Sequence, residues 1–174
     1  MHVFVDESQR PNAYHLGAAL VADPGELGRL RTDLADLRRP GQRRFHFVKE
    51  SEARRRTLLA ALVSTGIRAR VYSCPTATGE ARTACLTVLV ADIVPAGTRR
   101  LVLESRESMN HRDVQVINSA LRKHGEGRLE YLHLRPHKEP LLWVADSVTW
   151  AVGAGGDWRR RVAPMLDEHV RLGG

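Results

Sequence analysis

The sequence predicts an α/β protein built on a central mixed β-sheet flanked by helices. Three observations carry that expectation. Two apolar, β-branched stretches stand back to back at the N-terminus across a turn signal. From residue 51 onward, apolar patterns of helical period alternate with short strand-like ones. The chain of 174 residues is the length of a single domain, expected over 1–174, and is long enough to bury a core without disulfides or metal.

The first stretch, His2-Val3-Phe4-Val5-Asp6, has the composition of a strand, and residues 14–22 read as a second one after the Gln9-Arg10-Pro11-Asn12 turn. Asp23-Pro24 then starts a helix whose stripe is Leu27, Leu30, Leu34 and Leu37, and Pro40-Gly41 ends it. Residues 43–48 read as a short strand or extended segment. A helix from about Ser51 buries Leu58, Leu59, Leu62 and Val63 and closes at Gly66. Ile67, Ala69 and Val71 alternate with Arg68, Arg70 and Tyr72, the period of a half-buried strand.

Residues 78–94 form the next helix, with Pro95-Ala96-Gly97 as its stop, and 99–105 a compact strand. Asn110 is the expected cap of a helix that buries Val114, Ile117 and Leu121 and ends at Gly125. Residues 129–134 complete the strands. Pro140 opens an apolar helix to about Val152, and Gly153 to Gly156 separate it from a helical C-terminal segment, about 157–174, kinked by Pro164.

Hydrophobic residues at 43% and charged residues at 27% exclude disordered, collagenous and membrane-spanning classes, and no apolar run approaches the ~20 residues of a membrane span. Cys74 and Cys85 lack the spacing of a disulfide framework or zinc clip, so a cytoplasmic protein is expected. Lys and Arg outnumber Asp and Glu 27 to 20, a net charge of +7, which favours a polyanionic partner. Glycine-rich phosphate loops, nucleophile elbows and dinucleotide fingerprints are missing, which argues against a small-molecule enzyme.

Three acids stand inside or at the end of apolar elements: Asp6 after the first strand, Glu104 after Leu101-Val102-Leu103, and Asp146 within Leu141-Leu142-Trp143-Val144-Ala145. A carboxylate at the C-terminal edge of a central strand lies where open α/β sheets place ligands. Three like charges brought together there call for cations, and oxygen-only ligation suits two Mg²⁺ or Mn²⁺ ions activating water against a phosphodiester. A polar turn, an exposed strand end and a solvated helix face are the plainer accounts of the same residues.

These residues carry a resemblance. Val3-Phe4-Val5-Asp6-Glu7-Ser8, Phe45-His46-Phe47, the late strand ending in Glu104, and Ala145-Asp146-Ser147-Val148-Thr149-Trp150-Ala151 resemble the uncharacterised bacterial and phage family called domain of unknown function 3800, of the ribonuclease H-like superfamily. The resemblance spans about 3–152 and implies a ribonuclease H-like fold, with Asp6, Glu104 and Asp146 as metal ligands of a phosphodiester nuclease or a relic of one. Glu at 104 replaces the usual Asp, and Arg44 and Phe45 stand where an acid often precedes the His.

Glu7 and His46 are the expected supporting catalytic residues. His46 offers an imidazole that can carry a proton, though Glu7 alternates away from Asp6 if the strand continues. Lys49, Arg54 and Arg106 are the expected contacts to nucleic acid, and the runs Arg54-Arg55-Arg56 and Arg159-Arg160-Arg161 are either phosphate grips or solvated faces. Aromatic residues at 5% are too few for a base-stacking platform, so any nucleic acid is gripped by its backbone. The expected function is a divalent-metal-dependent nuclease acting on RNA or DNA. The alternative is a catalytically inactive ribonuclease H-like module that binds nucleic acid or protein.

Overall fold

The computed structural model describes residues 1–124 and 129–173. The opening hairpin is longer than the sequence suggests: β1 spans His2–Arg10 and β2 Ala13–Val21, joined by a tight turn at Pro11 and Asn12. Full antiparallel register runs from His2 opposite Val21 to Arg10 opposite Ala13. Asp23 caps a short 3-10 turn by accepting from the Gly25 N–H, and α1 (Leu27–Asp36) follows. Ser51 caps α2 (Glu52–Ser64) through the Arg54 N–H, and Leu58, Leu59 and Leu62 are fully buried from it. Each such leucine contributes roughly 1.5–3 kcal/mol relative to exposure.

Next come β3 (Arg68–Cys74), α3 (Gly79–Ile93), β4 (Arg100–Glu104), α4 (Glu107–His124), β5 (Glu130–Leu134), α5 (Leu141–Ala154), α6 (Gly156–Val162) and β6 (Leu166–Arg171). One six-stranded sheet results, ordered β5-β4-β1-β2-β3-β6. The β1/β2 and β2/β3 pairs are antiparallel, and β1/β4, β4/β5 and β3/β6 are parallel, which makes the mixed sheet the alternation implied.

Period-two alternation along the strands divides the core. Phe4, Ala19, Val71 and Val102 face α1, α2 and α5, whereas Val3, Val5, Leu16, Leu101 and Leu103 face α3 and α4. Helix α5 is buried along nearly its whole length because it lies directly on β1 and β2. The close approach requires Gly17: a Cβ there would stand 1.8 Å from Thr149 Oγ1 and 3.2 Å from the Ala145 carbonyl oxygen.

The structure departs from expectation in three places. Residues 43–48 pair with no strand; they form an irregular loop ending in a 3-10 turn at Phe47–Lys49, with Phe45 and Phe47 buried against α5. Helix α4 begins at Glu107, not Asn110, because Asn110 Oδ1 reaches back one turn to accept from the Arg106 N–H at 2.8 Å. The C-terminal segment is helical only to Met165. Pro164 then breaks the helix, and Leu166–Arg171 becomes β6, which pairs the β3 edge whose backbone groups would otherwise lack partners. The expected helix stop at Gly125 lies outside the described residues. None of the described helices is long and apolar enough to cross a membrane.

Candidate active site

Asp6 and Glu104 stand on neighbouring parallel strands, one residue beyond the Val5–Leu103 pair, and share the face that α5 covers. Asp146 reaches the same place from above. It is the one residue of the stretch 141–149 that is not fully buried, which places its carboxylate at the rim of the packed helix. The plainer account of Asp146 as a member of a solvated helix face fails, because Thr149 on that side is buried against Gly17.

The three carboxyls feel one another. Burial pushes Asp6 well above the ordinary carboxylate range, and its side-chain contact with Glu104 and the charges of Asp146 and Glu104 add to the shift. The N–H of Glu7, donating to Asp6 Oδ1 at 2.7 Å, works the other way. Asp146 is pushed up to about 6 by burial and the Glu104 charge, against the Phe47 N–H that donates to Oδ2 at 3.2 Å and the cations of Arg44 and Arg106. Those two arginines flank Glu104: Arg44 Nη1 lies 3.6 Å from Oε1 and Arg106 Nη2 3.6 Å from Oε2.

Among the described residues no three carboxylate, histidine or cysteine groups already form a closed metal cage. The donor chemistry nonetheless fits a hard divalent cation: the three groups are oxygen donors with mutual repulsion that a cation would relieve. Zinc has no such fit. His133 Nε2 is taken by Asp113 at 3.1 Å, and Cys74 and Cys85 are buried thiols 3.6 Å apart on the other face.

Of the expected supporting residues, His46 lies beside the cluster at the start of the 3-10 turn. Burial lowers its pKa, as do Arg44 and Lys49, and Glu104 opposes them. Glu7 is not brought to the cluster. Strand β1 continues through Arg10, so Glu7 alternates to the α3 side and accepts from Tyr14 Oη at 2.5 Å, from Arg82 and from Arg106. Arg82 also forks onto Asp113 at 2.8 and 2.7 Å, so Glu7 belongs to a buried ion-pair network.

The expected nucleic-acid contacts also separate. Lys49 is exposed next to His46, and Arg106 bridges Glu7 and Glu104 with its side chain 40% exposed. Arg54 turns inward to donate to the Leu37 carbonyl, where it ties α2 to the end of α1. Arg55 likewise donates to the carbonyls of Phe47 and Val48 while lying over the Trp150 ring, which fixes the His46 turn. Arg44 is the site residue sequence reasoning missed; its only signal was adjacency to Phe45-His46-Phe47.

A scan against protein-family models finds no match, and no curated protein is matched by sequence. Among solved structures, one determined as a complex of PCNA with ribonuclease HII from Archaeoglobus fulgidus is similar, with a TM-score of 0.53 and 18% identity over 86% of this chain and 70% of that one. That likeness, with the mixed six-stranded sheet and its helical layers, shows that the chain is an α/β protein of the ribonuclease H-like fold.

Proposed function

We propose that the protein is a divalent-metal-dependent nuclease that hydrolyses phosphodiester bonds of RNA or DNA. The observation that carries this reading is the gathering of Asp6, Glu104 and Asp146 into one cluster, with Asp6 held above its ordinary range by burial and by Glu104 and Asp146, and Asp146 by burial and the Glu104 charge. Mg²⁺ or Mn²⁺ ions, when bound, would supply an activated water and charge neutralisation at the phosphate. Asp6, Glu104 and Asp146 would hold them. His46 is kept neutral near pH 7 by its lowered pKa, so one of its ring nitrogens can accept a proton from water. Arg106, Arg44 and Lys49 present cations around the acids for a phosphate backbone.

One observation favours the inactive-module alternative: each Glu104 oxygen already faces an arginine. Incubation with mixed RNA and DNA in Mn²⁺ separates the two readings. A nuclease gives cleavage that EDTA and Asp146→Asn both abolish. No cleavage by the wild type under any divalent cation, or cleavage that survives Asp146→Asn, overturns the nuclease reading.

A further inference from the structure

Beyond the C-terminal ends of the parallel strands β4 and β5 lies an open cleft of about 750 Å³, formed by the residues that immediately follow those strands and by Arg44 of the 43–48 loop. Arg44, Arg106, Arg135 and His137 line it together with Ser105 and Ser108. The one acid on its wall, Glu107, is almost fully exposed and pairs with Arg135 at 3.4 Å. The wall thus carries three guanidinium groups and one solvated carboxylate, while Glu104 and Glu7, which face Arg44 and Arg106, are not among the residues that line the cleft. No Phe, Tyr or Trp lines it, so its lining suits a phosphate backbone better than a stack of bases.

Two of the three arginines are shared with the acid cluster. Arg44 and Arg106 stand 3.6 Å from opposite oxygens of Glu104, outside hydrogen-bonding distance, so neither is locked to Glu104, although Arg106 is anchored through Nη1 to Glu7. A phosphate in the cleft offers the same guanidinium groups bidentate, charge-assisted hydrogen bonds at shorter range.

We propose that this cleft binds the phosphodiester backbone of a nucleic-acid strand, and that the backbone draws Arg44 and the Nη2 arm of Arg106 away from Glu104. Empty, the cleft leaves Glu104 balanced by arginine; filled, it leaves the carboxylate free for a cation. By linkage, occupancy of the cleft and cation affinity then strengthen each other. The cation part of this inference rests on the nuclease reading above, but the binding part does not, and its test needs no cleavage.

The experiment is fluorescence anisotropy of a labelled single-stranded ten-nucleotide DNA and its RNA counterpart in EDTA at low salt, with circular dichroism confirming that each variant is folded. Arg44→Gln with Arg135→Gln is expected to weaken binding about tenfold or more and to flatten the salt dependence by about 0.7 in log–log slope per lost contact. Glu104→Gln frees Arg44 and the Nη2 arm of Arg106, which Glu7 still holds through Nη1, and is expected to tighten binding by more than Asp146→Asn does. Asp146 is a neighbouring acid that feels Arg44 and Arg106 only at longer range, so it controls for simple loss of negative charge. Absence of binding, equal binding by the wild type and the double arginine variant, or Glu104→Gln no tighter than Asp146→Asn would each overturn the proposal. Displacement by inorganic phosphate at the same molar concentration as unlabelled oligonucleotide would overturn it too, by marking a site for the free anion. Binding that behaves as expected without any cleavage in Mn²⁺ would leave the cleft standing and remove only the nuclease.

Discussion

Asp6 and Glu104 lie side by side on parallel strands β1 and β4, 98 residues apart in sequence, and their side-chain contact raises the Asp6 pKa in addition to the rise from burial. A carboxyl held that way costs folding free energy at neutral pH, since the folded state resists its ionisation.

Neutralising it therefore has two opposite effects. Asp6→Asn is expected to raise the melting temperature in EDTA, because repulsion with Glu104 and Asp146 disappears. In saturating Mn²⁺ the order should reverse: the wild type gains about 2.7 kcal/mol at a hundredfold excess over its dissociation constant, and the variant gains little. Cation affinity and nuclease activity should fall by about 100-fold or more. Differential scanning fluorimetry with and without Mn²⁺ reads both, and equal shifts in the two proteins would speak against Asp6 as a ligand.

The seat of α5 on the sheet depends on Gly17. Its missing Cβ leaves room for Thr149 Oγ1, which donates to the Ala145 carbonyl at 2.5 Å one turn back, and Asp146 follows Ala145 directly. Gly17→Ala must push the helix outward, with an overpacking cost of about 1–3 kcal/mol in urea unfolding and a displaced Asp146. Adding Thr149→Ala removes the 1.8 Å clash but not the 3.2 Å approach to the backbone oxygen, so it should restore only part of the stability. Full rescue would mean that the helix is not held where the contacts place it.

Much of this arrangement was legible in the sequence because it follows from local rules. Alternation put Asp6 on one face and Glu7 on the other as soon as the strand was allowed to pass residue 6, and an acid within the apolar run 141–149 marked Asp146. Register between β1 and β4, which brings Asp6 beside Glu104, is a tertiary property that the fold supplied. Arg54 misled because one arginine in a helical run looks like another. Only packing of α2 on α1 shows that its guanidinium ends on Leu37. Strand β6 was hidden for a similar reason: 166–171 carries little β-branched sequence and is a strand because β3 needs an edge partner.

Glu7 and Glu104 are both acids near Arg106, yet their variants should behave differently. Arg82, Tyr14 and Arg106 all converge on Glu7, and Arg82 also holds Asp113, so this network is buried and balanced. Arg82→Met removes the cation shared by two buried carboxylates, leaving Glu7 with Tyr14 and Arg106 and Asp113 with His133, and is expected to cost about 3 kcal/mol in urea unfolding. Glu7→Gln should destabilise the fold while leaving Mn²⁺ affinity near that of the wild type, whereas Glu104→Gln should do the reverse. Isothermal titration of Mn²⁺ into both variants decides it; loss of cation binding in Glu7→Gln would return that residue to the site.

At acid pH two groups on the α5 side of the sheet oppose each other. His169 on β6 is lowered to about 4 by burial, then by Arg171, Arg159 and His15, and its Nε2 meets Ser73 Oγ at 2.8 Å. With an unfolded pKa near 6.5, the unfolded chain takes up the proton first as pH falls, so stability drops between about 6.5 and 4. Solvent screening of this half-exposed ring keeps the loss to roughly 1 kcal/mol. Asp146, pushed up to about 6 from an ordinary value of 3.8, acts with the opposite sign. Its folded form takes up the proton first, so stability rises as pH falls from 6 toward 4. Asp6, also held above its ordinary range, acts with Asp146, so the two acids outweigh the histidine and the wild type should gain stability by urea unfolding as pH falls through that window. Asp146→Asn removes one acid's contribution: it should be more stable than the wild type at pH 7.5 and gain less on going to pH 4.5. His169→Gln should gain more than the wild type as the solution is acidified. If Asp146→Asn gains as much as the wild type, the repulsion assigned to the carboxylate cluster is not present in solution.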